Sequence, residues 1–296
     1  MHFPNPAILN RLRFTLLVLF IFFWLYSGLA LQAGAKADPR LAPDDKIDLP
    51  EQLGEIVYQT QPAASSRIYI IANGHRSAIS GANAVKTLQA QVETFRIGEW
   101  LINQNRIEML LPEGFFGEMG STSTIDANKN LFDGQRLQDA LADTSHFVNA
   151  ELLLHENYGI GLEQVENRKL YHDVRDRLSS SLKPGARILL LNRELTYLQK
   201  LRTASILQSA PAVIETAYQQ GRVAAPNAML TIGLSHLEDI ISFLEAGKID
   251  ITGLHTTNLV FPPQNTELEL LKKQVGVTVI VPRILISSGF KVKKRT

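Results

Sequence analysis

The chain has no cysteine in its 296 residues. That excludes a disulfide framework, a thiolate nucleophile and any cysteine-based zinc site. A charge excess is also missing: the formal net charge is +1, with acids and bases interspersed. Without a basic face, counterion release has nothing to work on, so nucleic acid is excluded as a partner. There is no G-x-S-x-G, no P-loop and no G-x-G-x-x-G, and no internal repeat of fixed period. Two further motifs fail on inspection. "HENYG" at His155 opens like H-E-x-x-H, but Gly159 stands where the second histidine is needed. "DANKNLFDG" from Asp126 imitates a calcium loop, yet Leu131 replaces the turn glycine and Leu137 the closing glutamate.

What the chain does have begins with one long apolar run, "FTLLVLFIFFWLYSGLALQAGA", Phe14 to Ala35. Arg11 and Arg13 precede it, no acid lies in residues 1–37, and Ala35-Lys36-Ala37 is a small-x-small site. The pattern predicts either a cleaved signal peptide over 1–37 or an uncleaved anchor over 14–33, since about 20 apolar residues span a bilayer. The positive flank holds Met1 inside in both cases, so the remainder is expected to be exported, periplasmic or otherwise extracytoplasmic. Removing the three basic groups of 1–37 takes the net charge from +1 to −2.

Residues 38–66 open with "DPRLAPDDKIDLPEQ", rich in proline and charge, and read as a linker and domain lead-in. From 67 to 290 the periodicity predicts a single α/β domain, and "KVKKRT" at 291–296 reads as a solvated basic tail. Short apolar runs predict strands at Arg67–Ala72, Ile107–Leu111, Tyr158–Leu162, Ala228–Leu234 and Val275–Val281. Helical spacing of Val85, Leu88, Val92, Phe95, Ile97, Trp100 and Leu101 predicts a helix within 81–104. Further helices are expected over Glu166–Leu182, over Arg193–Ala210 with a stop before Pro211, and from His236 to Gly247. Strands separated by such helices imply a mainly parallel central sheet flanked by helices, with ligands collecting beyond the carboxyl ends of the strands.

Four chemistry-bearing residues fall just past those strand ends. "IIANGHRS" places His75 after the first strand, and "LTIGLSHLEDI" places His236 after the fourth. Ser235 and Glu238 have capping-box spacing, which would start a helix at His236, and a helix N-terminus favours the neutral imidazole that a metal needs. "IEMLLPEGFF" places Glu113 after a strand, between Pro112 and Gly114, and "YGIGLEQVE" does the same for Glu163. Each alone has an ordinary reading, a cap or a surface charge. Together, two histidines and two carboxylates form an N2O2 set suited to a divalent Mn, Zn, Co or Fe ion. Such an ion would polarise a carbonyl and acidify its bound water, leaving Glu113 as general base. Arg193, at a helix start, is placed to hold a carboxylate or oxyanion, with a surface salt bridge as its ordinary alternative.

The order strand-His, strand-Glu, "GLE", an Arg-led helix and "IGLSHL" resembles the TraB/PrgY/GumN group, relatives of the Tiki metalloproteases in the erythromycin-esterase/ChaN-like superfamily. The family's paired G-x-x-H motifs would fall on Ala72–His75 and Gly233–His236, its glutamates on Glu113 and Glu163, its arginine on Arg193. The first motif reads A-N-G-H, with its glycine beside the histidine, and the arginine reads Asn-Arg. The resemblance implies an α/β domain with a divalent-metal site that hydrolyses peptide or ester bonds. It also supplies the rival expectation, because some relatives only bind or regulate peptide signals and ChaN-like relatives bind haem iron.

Overall fold

The computed structural model describes residues 47–61, 64–74, 85–117, 139, 141, 142, 149–181, 188–251 and 266–288. His75, the leader 1–37, the polar stretch 118–130 and the basic tail lie outside the described residues. Among those described, no helix is long and apolar enough to cross a membrane.

A six-stranded sheet runs in the order β1-β8-β2-β5-β3-β4, where β1 is Gly54–Gln59, β2 Arg67–Asn73, β3 Met109–Pro112, β4 Gly161–Leu162, β5 Asn227–Gly233 and β8 Gly276–Pro282. Every pairing is parallel except β1 with β8. Strands β2, β5 and β8 are buried along their whole length, as uninterrupted apolar runs require when both faces are covered. A separate two-stranded ribbon joins β6 (Lys248–Ile249) to β7 (Thr266–Glu267).

The two-residue period of the strands sorts their side chains into two cores. Ile68, Ile70, Leu111, Leu230 and Val279 face one way, against α4 (Ile188–Gln219) and α5 (Leu237–Ala246). Tyr69, Ile71, Leu110, Met229 and Ile280 face the other, against α1 (Val85–Asn103) and α2 (Ala150–Tyr158). Gly98 lets α1 close onto Leu154 of α2, because a Cβ there would overlap the leucine side chain. The remaining helices are α3 (Arg168–Ser181), α6 (Glu269–Lys272) and α7 (Arg283–Ser287).

Several elements depart from the sequence expectation. Strand β1 lies within 38–66, and Ile47 and Leu49 ahead of it are buried, so the lead-in contributes to the domain. The strand expected at Tyr158–Leu162 shrinks to two residues, because α2 runs to Tyr158 and ends on Gly159 at φ 67°. Asn149 starts that unforeseen helix, its side chain accepting from the Leu152 amide. Pro211 does not stop α4, which continues to Gln219. Proline loses one amide donor in mid-helix, yet Leu207, Ala210, Ile214 and Ala217 keep burying the same face across it. The capping box also fails to form: Leu234–His236 make a 3-10 turn without a side-chain cap, and α5 begins at Leu237.

Candidate functional site

The parallel ladders put the carboxyl ends of β2, β3 and β5 side by side, with Asn73 paired to Gly233 and Pro112 to Thr231. A cavity of about 480 Å³ opens there, lined among others by Glu113, Glu151, Tyr171, Arg202, Ser235 and His236. This is where open parallel sheets collect ligands.

Glu113 leaves β3 through a bend made by Pro112 and Gly114, whose φ is +77°. Its amide donates to the Thr231 carbonyl at 3.0 Å, which ties the bend to β5. Its carboxylate accepts from the Gly233 amide at 2.5 Å and lies 2.6 Å from the Arg202 guanidinium. Arg202 is itself buried and is shared with the fully buried Glu166, which also accepts from the Gly114 amide at 2.7 Å. Burial alone would lower the guanidinium's pKa, but Glu166 and Glu113 outweigh it and hold Arg202 firmly charged. The Arg202 guanidinium lies 4.9 Å from the centre of the Tyr171 ring, a cation–π distance.

His236 is 2% exposed, with its Nε2 3.6 Å from Glu113 Oε1. Its Nδ1 is 2.6 Å from the Thr203 hydroxyl, and that hydroxyl is also 2.9 Å from the Gln199 carbonyl. A carbonyl only accepts, so the single hydroxyl proton goes to Gln199, and Thr203 accepts from Nδ1–H. In the neutral ring this puts the lone pair on Nε2, on the Glu113 side.

Glu151, in the first turn of α2, is the second carboxyl lining the cavity, beside Glu113. Burial pushes its pKa above the ordinary carboxyl range, the negative charge of Glu113 adds to the rise, and the Thr231 hydroxyl beside it opposes both. One guanidinium already serves two carboxylates, and a third buried carboxyl favours its neutral form.

Of the expected site residues, the structure brings together Glu113 and His236. Glu163 is buried at the end of β4 but pairs with Arg222 and does not line the cavity. Arg193 is exposed on α4, and Arg202, nine residues later on the same helix, occupies the inward position expected of it. Sequence reasoning missed Arg202, Glu166 and Glu151. A signal for Arg202 existed: Leu198 and Ile206, four residues to either side, are both buried, so the arginine sits on the apolar stripe.

The donor chemistry can be tested against the expected metal. Among the described residues no group of three His, Asp or Glu side chains is placed to hold one. Glu163 is committed to Arg222, and a cation on Glu113 Oε1 would share that oxygen with a guanidinium 2.6 Å away. Of the four expected donors, Glu113 and His236 share the cavity, Glu163 stands apart at Arg222, and His75 lies outside the described residues. Compared with protein-family models, curated proteins and solved structures, the chain matches none.

Proposed function

We propose that this protein hydrolyses peptide or ester bonds, in keeping with its resemblance to the TraB/PrgY/GumN group, using His236, Glu113 and Arg202. The observation that carries the reading is the orientation of His236. Its Nδ1–H is bound by Thr203, and its Nε2 stands 3.6 Å from Glu113 in a cavity at the strand ends.

In this reading His236 Nε2 takes a proton from water as the water attacks the scissile carbonyl, and returns it to the leaving alkoxide or amine as the tetrahedral intermediate collapses and the C–O or C–N bond breaks. Glu113 stabilises the imidazolium as it forms, and the Gly233 amide and Arg202 keep that carboxylate ionised and oriented. Arg202 supplies positive charge for the developing oxyanion, the role expected from sequence of Arg193. No step in this reading is routed through a metal.

The same proposal keeps the domain outside the cytoplasm, as a single α/β unit behind a signal or anchor helix in residues 1–37. A reporter fused after residue 66 and active only when exported supports that part; a cytoplasmic reporter removes it.

The chemistry is tested with p-nitrophenyl acetate and a mixed peptide library. Turnover by the folded protein, lost in His236→Gln with the circular dichroism spectrum retained, is the expected result. No turnover of either probe by folded protein overturns the hydrolase. Turnover that chelation abolishes and one of Mn, Co, Zn or Fe restores overturns the metal-free route in favour of a metal held by His236, Glu113 and His75.

A further inference from the structure

Helix α3 divides its apolar residues between two destinations. Leu170 is fully buried and belongs to the main core. Tyr171, Val174 and Leu178 belong to neither core, and all three line the cavity instead. Their spacing of three and four residues puts them on one stripe of the helix. Phe115, 2% exposed and two residues past Glu113, lines the same cavity.

The wall is braced from behind. The Phe116 ring meets Tyr171 edge-on at 5.1 Å and stacks on His172 at 6.2 Å. Arg168 lies 5.3 Å from the Phe116 ring centre and donates to the Phe116 carbonyl at 3.4 Å. On the other side, Arg202 holds Tyr171 from above through the cation–π contact already described. Val174 is 7% exposed although it packs in no core cluster, so its shelter comes from the cavity walls.

From this we infer that the cavity takes an apolar group flanking the scissile bond, seated on Tyr171, Val174, Leu178 and Phe115, so that the substrate is an ester or peptide with an aliphatic or aromatic side chain there. This inference rests on the hydrolase reading for its scissile bond but not for its wall. Against Val174, Leu178 and Phe115 a polar substituent would lose water and gain no partner, the polar atoms of this wall being confined to the Tyr171 hydroxyl and Arg175. An apolar one is driven in by the area it removes from water.

The experiment is a chain-length series on the whole protein. With p-nitrophenyl acetate, butyrate and hexanoate, kcat/KM rises by about fourfold for each methylene that the wall covers. Leu178→Asn flattens the series and Leu178→Met restores it; Leu178 is only half-buried, so both variants keep the fold. Calorimetry with butyrate, hexanoate and octanoate gives the same ordering without any turnover. Equal rates across the esters, or a preference left unchanged by Leu178→Asn, overturns the inference while leaving the hydrolase intact. Chain-length-dependent binding with no ester turned over overturns the hydrolase and leaves the apolar site standing.

Discussion

The ends of β3 and β4 carry the same local pattern and behave differently. Each ends in a glutamate that pairs with an arginine, Glu113 with Arg202 and Glu163 with Arg222. On β3, which pairs on both sides, the glutamate turns into the cavity, and Arg202 is 7% exposed. On β4, at the sheet edge, the arginine partner is 30% exposed and the pair stays off the cavity. A strand-end carboxylate becomes chemically useful when flanking strands wall it in and the arginine answering it is buried too. Its position after a strand is not enough.

Removing the arginines separates the two ends most sharply. Arg202→Ala leaves Glu113 and Glu166 buried without their cation and is expected to cost about 3–5 kcal/mol. Arg222→Ala should cost less, because Arg222 is 30% exposed and water can reach the carboxylate's side of the pair once it is gone. Urea denaturation of the two variants measures both, and equal losses would erase the distinction. Activity should divide the glutamates next. Glu113→Gln lowers kcat on p-nitrophenyl acetate by about 10²–10⁴-fold, and Glu163→Gln leaves it unchanged. A loss of the same size at Glu163 would return that residue to the site.

The smallest effect concerns Glu151, whose pKa is raised by burial. A carboxyl whose folded pKa is raised contributes stability that is complete below its unfolded value, about pH 4. That contribution is lost as pH rises through the folded value. Glu151→Gln, permanently neutral, should therefore gain in melting temperature over the native chain as pH rises from 4 to 8. A difference independent of pH would show that the fold does not raise the Glu151 pKa.

The parts of the molecule legible in sequence were those that one segment specifies alone. Strands β2, β5 and β8 are apolar runs because both of their faces are covered, and α5 is amphipathic and stopped at Gly247. Strand β1 escaped because "GEIVYQ" is only half-buried and follows a proline-rich lead-in that resembles tether. Pro211 is no break because the packing that carries α4 through it comes from a core built by distant segments, which local sequence does not show. At the site, Glu113 and His236 were visible because turns punctuate them. Arg202, Glu166 and Glu151 sit inside or beside helices, where nothing local distinguishes a buried charge from a solvated one. Only the meeting of β3, α3 and α4 does that.

Among the described residues, strand β1, the first, is hydrogen-bonded to β8, the last strand described, with Gly54 opposite Pro282. The buried Arg67 then ties the β1–β2 connection to Thr278 of β8 at 3.1 Å. Closing a loop of that length is entropically slow, and such long-range pairing delays folding. Until β8 is in place, β1 therefore has no partner among the described strands, and the neighbouring edge of β2 stays open. The first and last described strands thus depend on one another, and trimming β8 would undo the domain from the front.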